Sequence, residues 1–243
     1  MEKKRFFSAK NIAYLAVLTA LVVVLQAVGG AITIGTVQLN FTLIPIVLGA
    51  ILLGPLAGGF LGLACGIVVL IQVIIGGGFY AVIWTYSPVV TTFTCILKTT
   101  AAGVAAGFLY RLIAKKNRYV AVFVASGIVP VINTALFILG CLCMNSAVTA
   151  FRDILVNDAG LAEYAGMNVF VFIVLVLVTF NFFIEFALNL VLAPAICRIE
   201  SVVRKQLGLR KTKKTEPKQP QQETAETAQE EGIPQEEDTP KTE

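Results

Sequence analysis

The sequence predicts an all-α polytopic membrane protein, in which six transmembrane helices form one compact bundle and both termini are cytoplasmic. Of its 243 residues, 57% are hydrophobic and 14% are charged. From Asn11 to Tyr110, a stretch of a hundred residues, Lys98 is the only charged side chain. A soluble domain carries about a quarter of its residues as charged side chains. The composition therefore excludes a soluble protein, and we expect the lipid bilayer to surround most of the chain.

Long apolar runs predict the helices, because lipid offers no partner to free backbone groups and a bilayer core needs roughly 20 helical residues. We expect spans at 12–28, 39–53, 55–75, 89–114, 119–144 and 168–196. The second run is short, and Gly54-Pro55 predicts the turn that separates it from the third. The first run is longer than that of a signal peptide and no clear A-x-A site follows it, so we expect it to remain as a span.

Basic side chains predict the orientation. Alternate loops place 12 Lys and Arg residues on one side of the membrane and Arg152 alone on the other. Because cytoplasmic loops are enriched in Lys and Arg, both termini are expected in the cytoplasm of a cell-membrane protein. We expect residues 1–10 to be a cytoplasmic N-terminus, 11–200 the membrane domain, and 201–243 a basic, then acidic, disordered tail. Since the basic residues adjoin apolar segments, no nucleic-acid partner is expected.

Small residues at four-residue spacing predict close contacts between helices, because helices in lipid associate through tight packing. Gly54, Gly58, Gly62 and Gly66 form such a stripe on the third span. Packing within the chain is the favoured interpretation for this stripe, and a sliding contact with a partner is the alternative.

Two charged side chains fall near the middle of predicted spans, where each costs about 2.5–3.5 kcal/mol to insert. Lys98 lies in the fourth span, and Glu185 lies in the sixth on one helix face with Asn181 and Asn189. One hypothesis is a polar cavity between the fourth, fifth and sixth spans, with Asn133 of the fifth contributing. The other is an ion pair of Lys98 with Glu185, with asparagines joining helices. For Lys98 both stay open, whereas Glu185 and Asn189 are expected to be structural, since Glu185 lies deeper than an outward-facing pocket would reach.

Several kinds of chemistry have no residues to support them. The chain has no His, and its five Cys lie in predicted spans or, for Cys197, directly after one, so no metal site is expected. Neither a phosphate-binding G-x-x-x-x-G-K-[ST] loop nor a G-x-S-x-G sequence is present. We therefore predict a non-catalytic chain without a cofactor. The chain has about half the usual length of a secondary transporter with paired repeats, so transport without a powered partner would require a homodimer.

The segment FTLIPIVLGAILLGPLAGGFLGLACGI, residues 41–67, resembles the signature of substrate-capture subunits (S-components) of energy-coupling factor (ECF) vitamin transporters. In that family a short, Pro-containing second helix precedes a Gly-Pro turn and a glycine-rich third helix. Ala16 and Ala20 are similar to the family's docking motif. The run KTTAAGVAAGFLYRLIAKKN, residues 98–117, resembles its fourth helix and basic cytoplasmic loop. The resemblance covers residues 10–200.

The resemblance implies a subunit that captures a vitamin or related micronutrient from outside. It implies docking, through Ala16 and Ala20, on a transmembrane coupling subunit that two cytoplasmic ATPase subunits power. The subunit would then topple in the membrane and release its ligand inward. The run VPVINTALFILG, residues 129–140, and the run NFFIEF, residues 181–186, are weakly similar to pantothenate-type and folate-type members.

We predict one substrate pocket. In it, Lys98 pairs with a carboxylate or phosphate of the ligand, and aromatic rings stack on the ligand. The first and third outer loops would close it, and Arg152 would lie at its mouth. The predicted lining residues are Tyr80, Trp84, Lys98, Asn133 and Asn181.

Two other functions remain open. One is a small channel or secondary carrier that uses Lys98 and Glu185 as an ion relay. The other is a structural assembly factor of a membrane complex.

Overall fold

The protein is described here by a computed structural model that covers residues 9–29, 33–34, 37–38, 41–158 and 160–206. These residues are helical except for short connections and one antiparallel pair of two-residue strands, β1 (Thr33–Ile34) and β2 (Val37–Gln38), in which Thr33 pairs with Gln38. The α-helices are α1 (Ala9–Gly29), α2 (Leu43–Leu52), α3 (Pro55–Ile75), α4 (Phe79–Tyr86), α5 (Pro88–Ile113), α6 (Arg118–Cys143), α7 (Asn145–Asn157), α8 (Val169–Phe172) and α9 (Thr179–Gln206). A 3-10 turn (Ala162–Tyr164) follows α7, and a π-helical segment (Ile173–Val178) joins α8 to α9.

Five helices of the described part are long and apolar enough to cross a bilayer. They are Ala9–Gly29, Pro55–Ile75, Pro88–Ile113, Arg118–Cys143 and the continuous helix Val169–Val203. All five were predicted from the apolar runs, with ends that differ by a few residues. The prediction of an all-helical polytopic bundle agrees with this architecture.

The predicted second span is a helix, but a short one. Helix α2 has 10 residues, which at 1.5 Å per residue gives about 15 Å, half of a bilayer core. Eight of its residues are buried, so α2 is a helix of the protein core. The predicted count of six spans therefore stays a prediction.

The turn between α2 and α3 is the one that the sequence predicts. Gly54 has φ of 105°, a left-handed conformation that favours glycine, and Pro55 is the first residue of α3. A Cβ atom at Gly54 would also collide with the guanidinium group of Arg111 at the end of α5. The turn thus brings this end of α3 against the basic end of α5.

The glycine stripe of α3 packs against the backbone of α5. A Cβ atom at Gly66 would lie 2.8 Å from the carbonyl oxygen of Cys95, and one at Gly58 would collide with the carbonyl of Gly103. The Thr99 hydroxyl donates a hydrogen bond to the Gly62 carbonyl at 2.7 Å. Packing within the chain, the favoured interpretation of this stripe, is confirmed.

Two predicted outer loops are largely helical, which corrects the sequence interpretation. Residues 76–88 contain α4, and residues 145–167 contain α7. Aromatic packing explains why such short helices are stable here, since the ring of Phe79 lies 5.1 Å from that of Phe151 and 6.2 Å from that of Phe137. Helices α4 and α7 therefore cover one end of the bundle, the α4–α7 end.

At the opposite end, the Tyr110 hydroxyl donates a hydrogen bond to a carboxylate oxygen of Glu200 at 2.8 Å, and both side chains are buried. This bond joins the end of α5 to α9, which extends to Gln206, beyond the predicted domain boundary at residue 200. Residues 1–8 of the predicted cytoplasmic N-terminus and residues 207–243 of the predicted tail lie outside the described residues. So does half of the first predicted outer loop.

Candidate substrate-binding cavity

A cavity lies within the bundle and receives side chains from α1, α3, α4, α5, α6 and the helix that begins at Val169. It encloses about 520 Å³ between the side chains, including the part open to solvent, and about 40 Å³ of this can hold the centre of a water molecule. It is thus a narrow cavity. Its lining residues are Gln26, Val69, Tyr80, Lys98, Asn133, Thr134, Phe137, Leu177, Val178, Asn181, Phe182 and Glu185.

Four of the residues predicted to bind substrate meet in this cavity, namely Tyr80, Lys98, Asn133 and Asn181. Helix geometry explains why two of them meet. Lys98 follows the start of α5 by ten residues and Asn133 precedes the end of α6 by ten residues. Both therefore lie about 15 Å along their helices from the α4–α7 end.

The ammonium group of Lys98 lies over an aromatic ring, with Nζ 5.0 Å from the centroid of Phe137. Such a cation–π contact stabilises a charge by roughly 0.5–2 kcal/mol, depending on its desolvation. An anionic ligand group would be a stronger partner for the same ammonium group. The contact therefore holds Lys98 at the cavity wall in a position from which it can bind an anion.

Two amide oxygens at the cavity, Oδ1 of Asn133 and Oδ1 of Asn181, are buried and have no hydrogen-bond partner within the described part of the chain. A buried polar atom without a partner costs about 1–3 kcal/mol. Hydrogen-bond donors on a bound molecule would remove this cost. The two amides are thus suited to hold a polar ligand.

Glu185 also lines the cavity, with 2% of its surface exposed. The cavity extends along α9 from Asn181 to Glu185, whereas the sequence placed Glu185 deeper than an outward-facing pocket would reach. Its neighbour Asn189 donates from Nδ2 to the Glu185 backbone carbonyl at 2.9 Å and is buried. The structural role of Asn189 stays a prediction.

The π-helical segment shapes one wall. The Thr179 hydroxyl donates to the carbonyl of Val174 at 2.6 Å, five residues back along the chain. A π turn is wider than an α turn and such turns are frequent at functional sites. Leu177 and Val178 are the last residues of this segment. They line the cavity together with Asn181, which lies one turn further along the helix.

One lining residue that the sequence analysis missed is Gln26, which belongs to a buried polar network. Its side chain donates from Nε2 to Oε1 of Gln72 at 2.8 Å, and Gln72 donates back to the Gln26 carbonyl at 3.1 Å. The Thr42 hydroxyl donates to Oε1 of Gln26 at 3.3 Å. The network joins α1, the start of α2 and α3 beside the cavity. A glutamine within an otherwise apolar span was the available signal.

The structure places two predicted pocket residues elsewhere. Trp84 lies one turn beyond Tyr80 on α4, where it is half-buried against the apolar core. Arg152 on α7 donates from Nη1 to the Met167 carbonyl at 2.7 Å and forms an ion pair with Asp153 at 3.1 Å. Because its guanidinium group already has these partners, Arg152 ties α7 to the segment that leads into α8.

No group of three or more His, Cys, Asp or Glu side chains among the described residues could hold a metal ion. The five cysteines, Cys65, Cys95, Cys141, Cys143 and Cys197, are free thiols. The polar groups of the cavity are therefore an ammonium, a carboxylate, amides and hydroxyls, which suit reversible binding of a small molecule.

Ala16 and Ala20, the predicted docking residues, are exposed on the outer face of α1. In the most apolar window of this helix 22% of the residues are buried, against 44% in the corresponding window of α3. Helix α1 is thus the least enclosed of the five long helices and presents a face lined by small side chains.

Most of the helical region matches one protein family. No curated protein matches the chain closely enough to count as a relative. The family model described as "ECF transporter, substrate-specific component" matches residues 10–197, which include every residue that lines the cavity. The chain therefore belongs to the family of substrate-specific components of ECF transporters.

Proposed function

We propose that this chain captures a vitamin or related micronutrient from outside the cell and delivers it by docking on a transmembrane coupling subunit that two cytoplasmic ATPase subunits power. Membership of the family makes the chain a substrate-specific subunit of a multi-pass membrane transporter and not a catalytic subunit. The identity of the ligand class, the direction of capture and the docking face are parts of the proposal.

The observation that carries the proposal is the cavity itself. Four residues that the sequence predicts to bind substrate converge there from four different helices. They are Tyr80 of α4, Lys98 of α5, Asn133 of α6 and Asn181 of α9. Ligand sites in proteins are typically concave and largely apolar with a few convergent polar groups. This cavity shares the convergent polar groups but is more polar than that, since seven of its 12 lining residues carry a polar or charged side chain, which suits a hydrophilic ligand.

Capture from outside is supported by the distribution of basic residues. The end of the bundle opposite α4 and α7 carries four basic residues where α5 ends and α6 begins, namely Arg111, Lys115, Lys116 and Arg118. Because Lys and Arg are enriched on the cytoplasmic side, that end is inside and the α4–α7 end is outside. Tyr80 of α4 reaches the cavity from this outer end.

Delivery by docking is supported by the exposed face of α1. A helix surface with Ala16 and Ala20 one turn apart allows close approach of a second helix, because small side chains let backbones pack tightly in lipid. The absence of a phosphate-binding loop in the sequence agrees with an energy source on other subunits.

A second candidate is a self-sufficient channel or secondary carrier that uses Lys98 and Glu185. It is favoured by one observation, that these two charged residues line the same cavity. Ionisable side chains inside a membrane frequently mark the path of an ion or a proton.

Reconstitution of the full chain alone in liposomes separates the two functions. Radiolabelled water-soluble vitamins are added outside, and bound and enclosed label are measured in vesicles of two sizes. We expect at most one bound molecule per chain, with no dependence on the internal volume, since the chain captures without transporting. Accumulation that grows with the internal volume would contradict the capture function and support the carrier.

A further inference from the structure

The charges of the cavity constrain the chemistry of the molecule that it binds. Lys98 and Glu185 are the charged side chains among its described lining residues, and they come from different helices, α5 and α9. Glu185 is 2% exposed. A charge that is removed from water is stabilised by opposite charge and by several hydrogen bonds. A ligand with an anionic group near Lys98 and a hydrogen-bond donor near Glu185 would be complementary to both side chains.

One wall of the cavity is rich in hydrogen-bond acceptors. Asn181 and Glu185 lie one turn apart on the same face of α9, and Asn133 lies on α6, which packs against α9. The amide oxygens of both asparagines are buried without a partner in the described part of the chain. A carboxylate and two carbonyl oxygens accept hydrogen bonds and cannot donate them. Hydrogen-bond donors on a ligand, N–H or O–H, would satisfy the two amide oxygens.

The Lys98 side offers the opposite chemistry. Its ammonium group has three donors and lies 5.0 Å from the ring centroid of Phe137. A charge-assisted hydrogen bond to a carboxylate or phosphate is stronger than a cation–π contact, so an anionic group on the ligand would replace the ring as the partner of Lys98.

The cavity also restricts the shape of the ligand. Three aromatic side chains line it, those of Tyr80, Phe137 and Phe182. The ring of Phe182 stacks on that of Phe186 at 5.6 Å and is thereby held in place. Aromatic rings at a cavity wall can stack on a flat group of a ligand, so this lining favours a ligand with a planar part.

We infer, on the basis of the capture function proposed above, that the ligand is a small planar amphoteric molecule. Its anionic group pairs with Lys98, and its basic, N–H-donating group pairs with Glu185 and the amide oxygens of Asn133 and Asn181. Glu185 is then a specificity-determining residue of the substrate site, in addition to the structural role that its place on α9 suggests.

A retention experiment with the full chain in lipid nanodiscs tests this inference. The protein is incubated with an equimolar mixture of three classes of compound, washed, and analysed for retained compounds by mass spectrometry. The amphoteric class is thiamine monophosphate, pyridoxamine phosphate and tryptophan. The anionic class is pantothenate, biotin and nicotinate. The third class, without an anionic group, is riboflavin, nicotinamide and thiamine.

We expect the wild type to retain a compound of the amphoteric class. Glu185→Gln should reduce that retention about tenfold or more, because it removes a charge-assisted hydrogen bond, and should raise the retained share of anions. Lys98→Gln should reduce it similarly and raise the share of the third class. The matched controls are Glu163→Gln and Lys116→Gln, both at exposed positions outside the cavity, and they should leave retention unchanged.

Two results would overturn the inference while leaving the capture function in place. One is retention of only anionic or only third-class compounds by the wild type, and the other is amphoteric retention that Glu185→Gln does not change. Retention of no compound from any class would contradict the capture function as well. If Glu185→Gln does not elute as the wild type does in size-exclusion chromatography, the Lys98→Gln variant decides. It should raise the retained share of the third class, whereas Glu185→Gln should raise the retained share of anions.

Discussion

At Gly62 the backbones of α3 and α5 approach so closely that no side chain fits between them. A Cβ atom there would lie 2.6 Å from the carbonyl carbon of Thr99 and 2.8 Å from the Cα atom of Thr100. The Thr99 hydroxyl, which donates to the Gly62 carbonyl, fixes the register of the two helices. The spacing of the glycines predicted such a contact, but the partner helix could not be read from the sequence.

Gly62→Ala should therefore destabilise the bundle by about 1–3 kcal/mol, which corresponds to a fall of roughly 2–10 °C in Tm, because the methyl group must displace backbone atoms. Thermal unfolding in detergent measures the change. The matched control is Gly77→Ala, since a Cβ atom at Gly77 meets nothing within 4 Å. Equal Tm values for the two variants would contradict the packing of α3 on α5 described here.

Single polar residues were predictable from the sequence to different degrees. Lys98 was identified because it is the only charge from Asn11 to Tyr110, and the structure places it at the cavity. Gln26 was missed because an uncharged amide in an apolar run is not distinctive without its partner Gln72, 46 residues away. That Glu185 lines the same cavity as Asn181 could not be read from the sequence, because the π-helical segment before α9 leaves no clear periodic signal.

Among the elements, α1 differs from the other long helices in its exposure, and this supports the docking proposal. Substituting Ala16 and Ala20 together with Trp should abolish uptake by intact cells, because the bulky rings keep a partner helix away. The isolated variant should still bind the compound that the purified wild type retains. Cellular uptake and binding by the purified chain are the two measurements.

The control for this substitution is Ala187→Trp, an exposed position on α9. It should leave both uptake and binding unchanged, which shows that a lipid-facing tryptophan is tolerated by the fold. Loss of both properties in the Ala16 and Ala20 variant would argue against a docking role and for a structural one.

Helices α4 and α7 are elements that the sequence did not reveal. Their residues lie outside the long apolar runs, and isolated helices of 8 and 13 residues are marginal in water. They are stable here because Phe79 packs against Phe151 and Phe137, contacts between segments far apart in sequence. Conversely, the Gly54-Pro55 turn was predictable because its cause is local.

For the molecule as a whole, composition and the lengths of the apolar runs were sufficient to predict a helical membrane bundle and five of its long helices. They were not sufficient to decide whether α2 spans the membrane, because a buried helix of ten residues and a short span have the same apolar composition. The convergence of Tyr80, Lys98, Asn133 and Asn181 on one cavity depends on how six helical elements pack together, which periodicity alone does not specify.

The most direct test of the central claim, that this cavity holds a small polar ligand, is mass spectrometry of compounds extracted from the full chain after purification from cells. We expect one polar micronutrient in nearly equimolar amount with the wild type and with Lys116→Met, whose side chain lies outside the cavity. The Lys98→Met variant should contain about a tenth or less of that amount, because it loses the cationic partner of the ligand. The absence of any such compound from the wild type, or an equal amount in Lys98→Met, would contradict the claim.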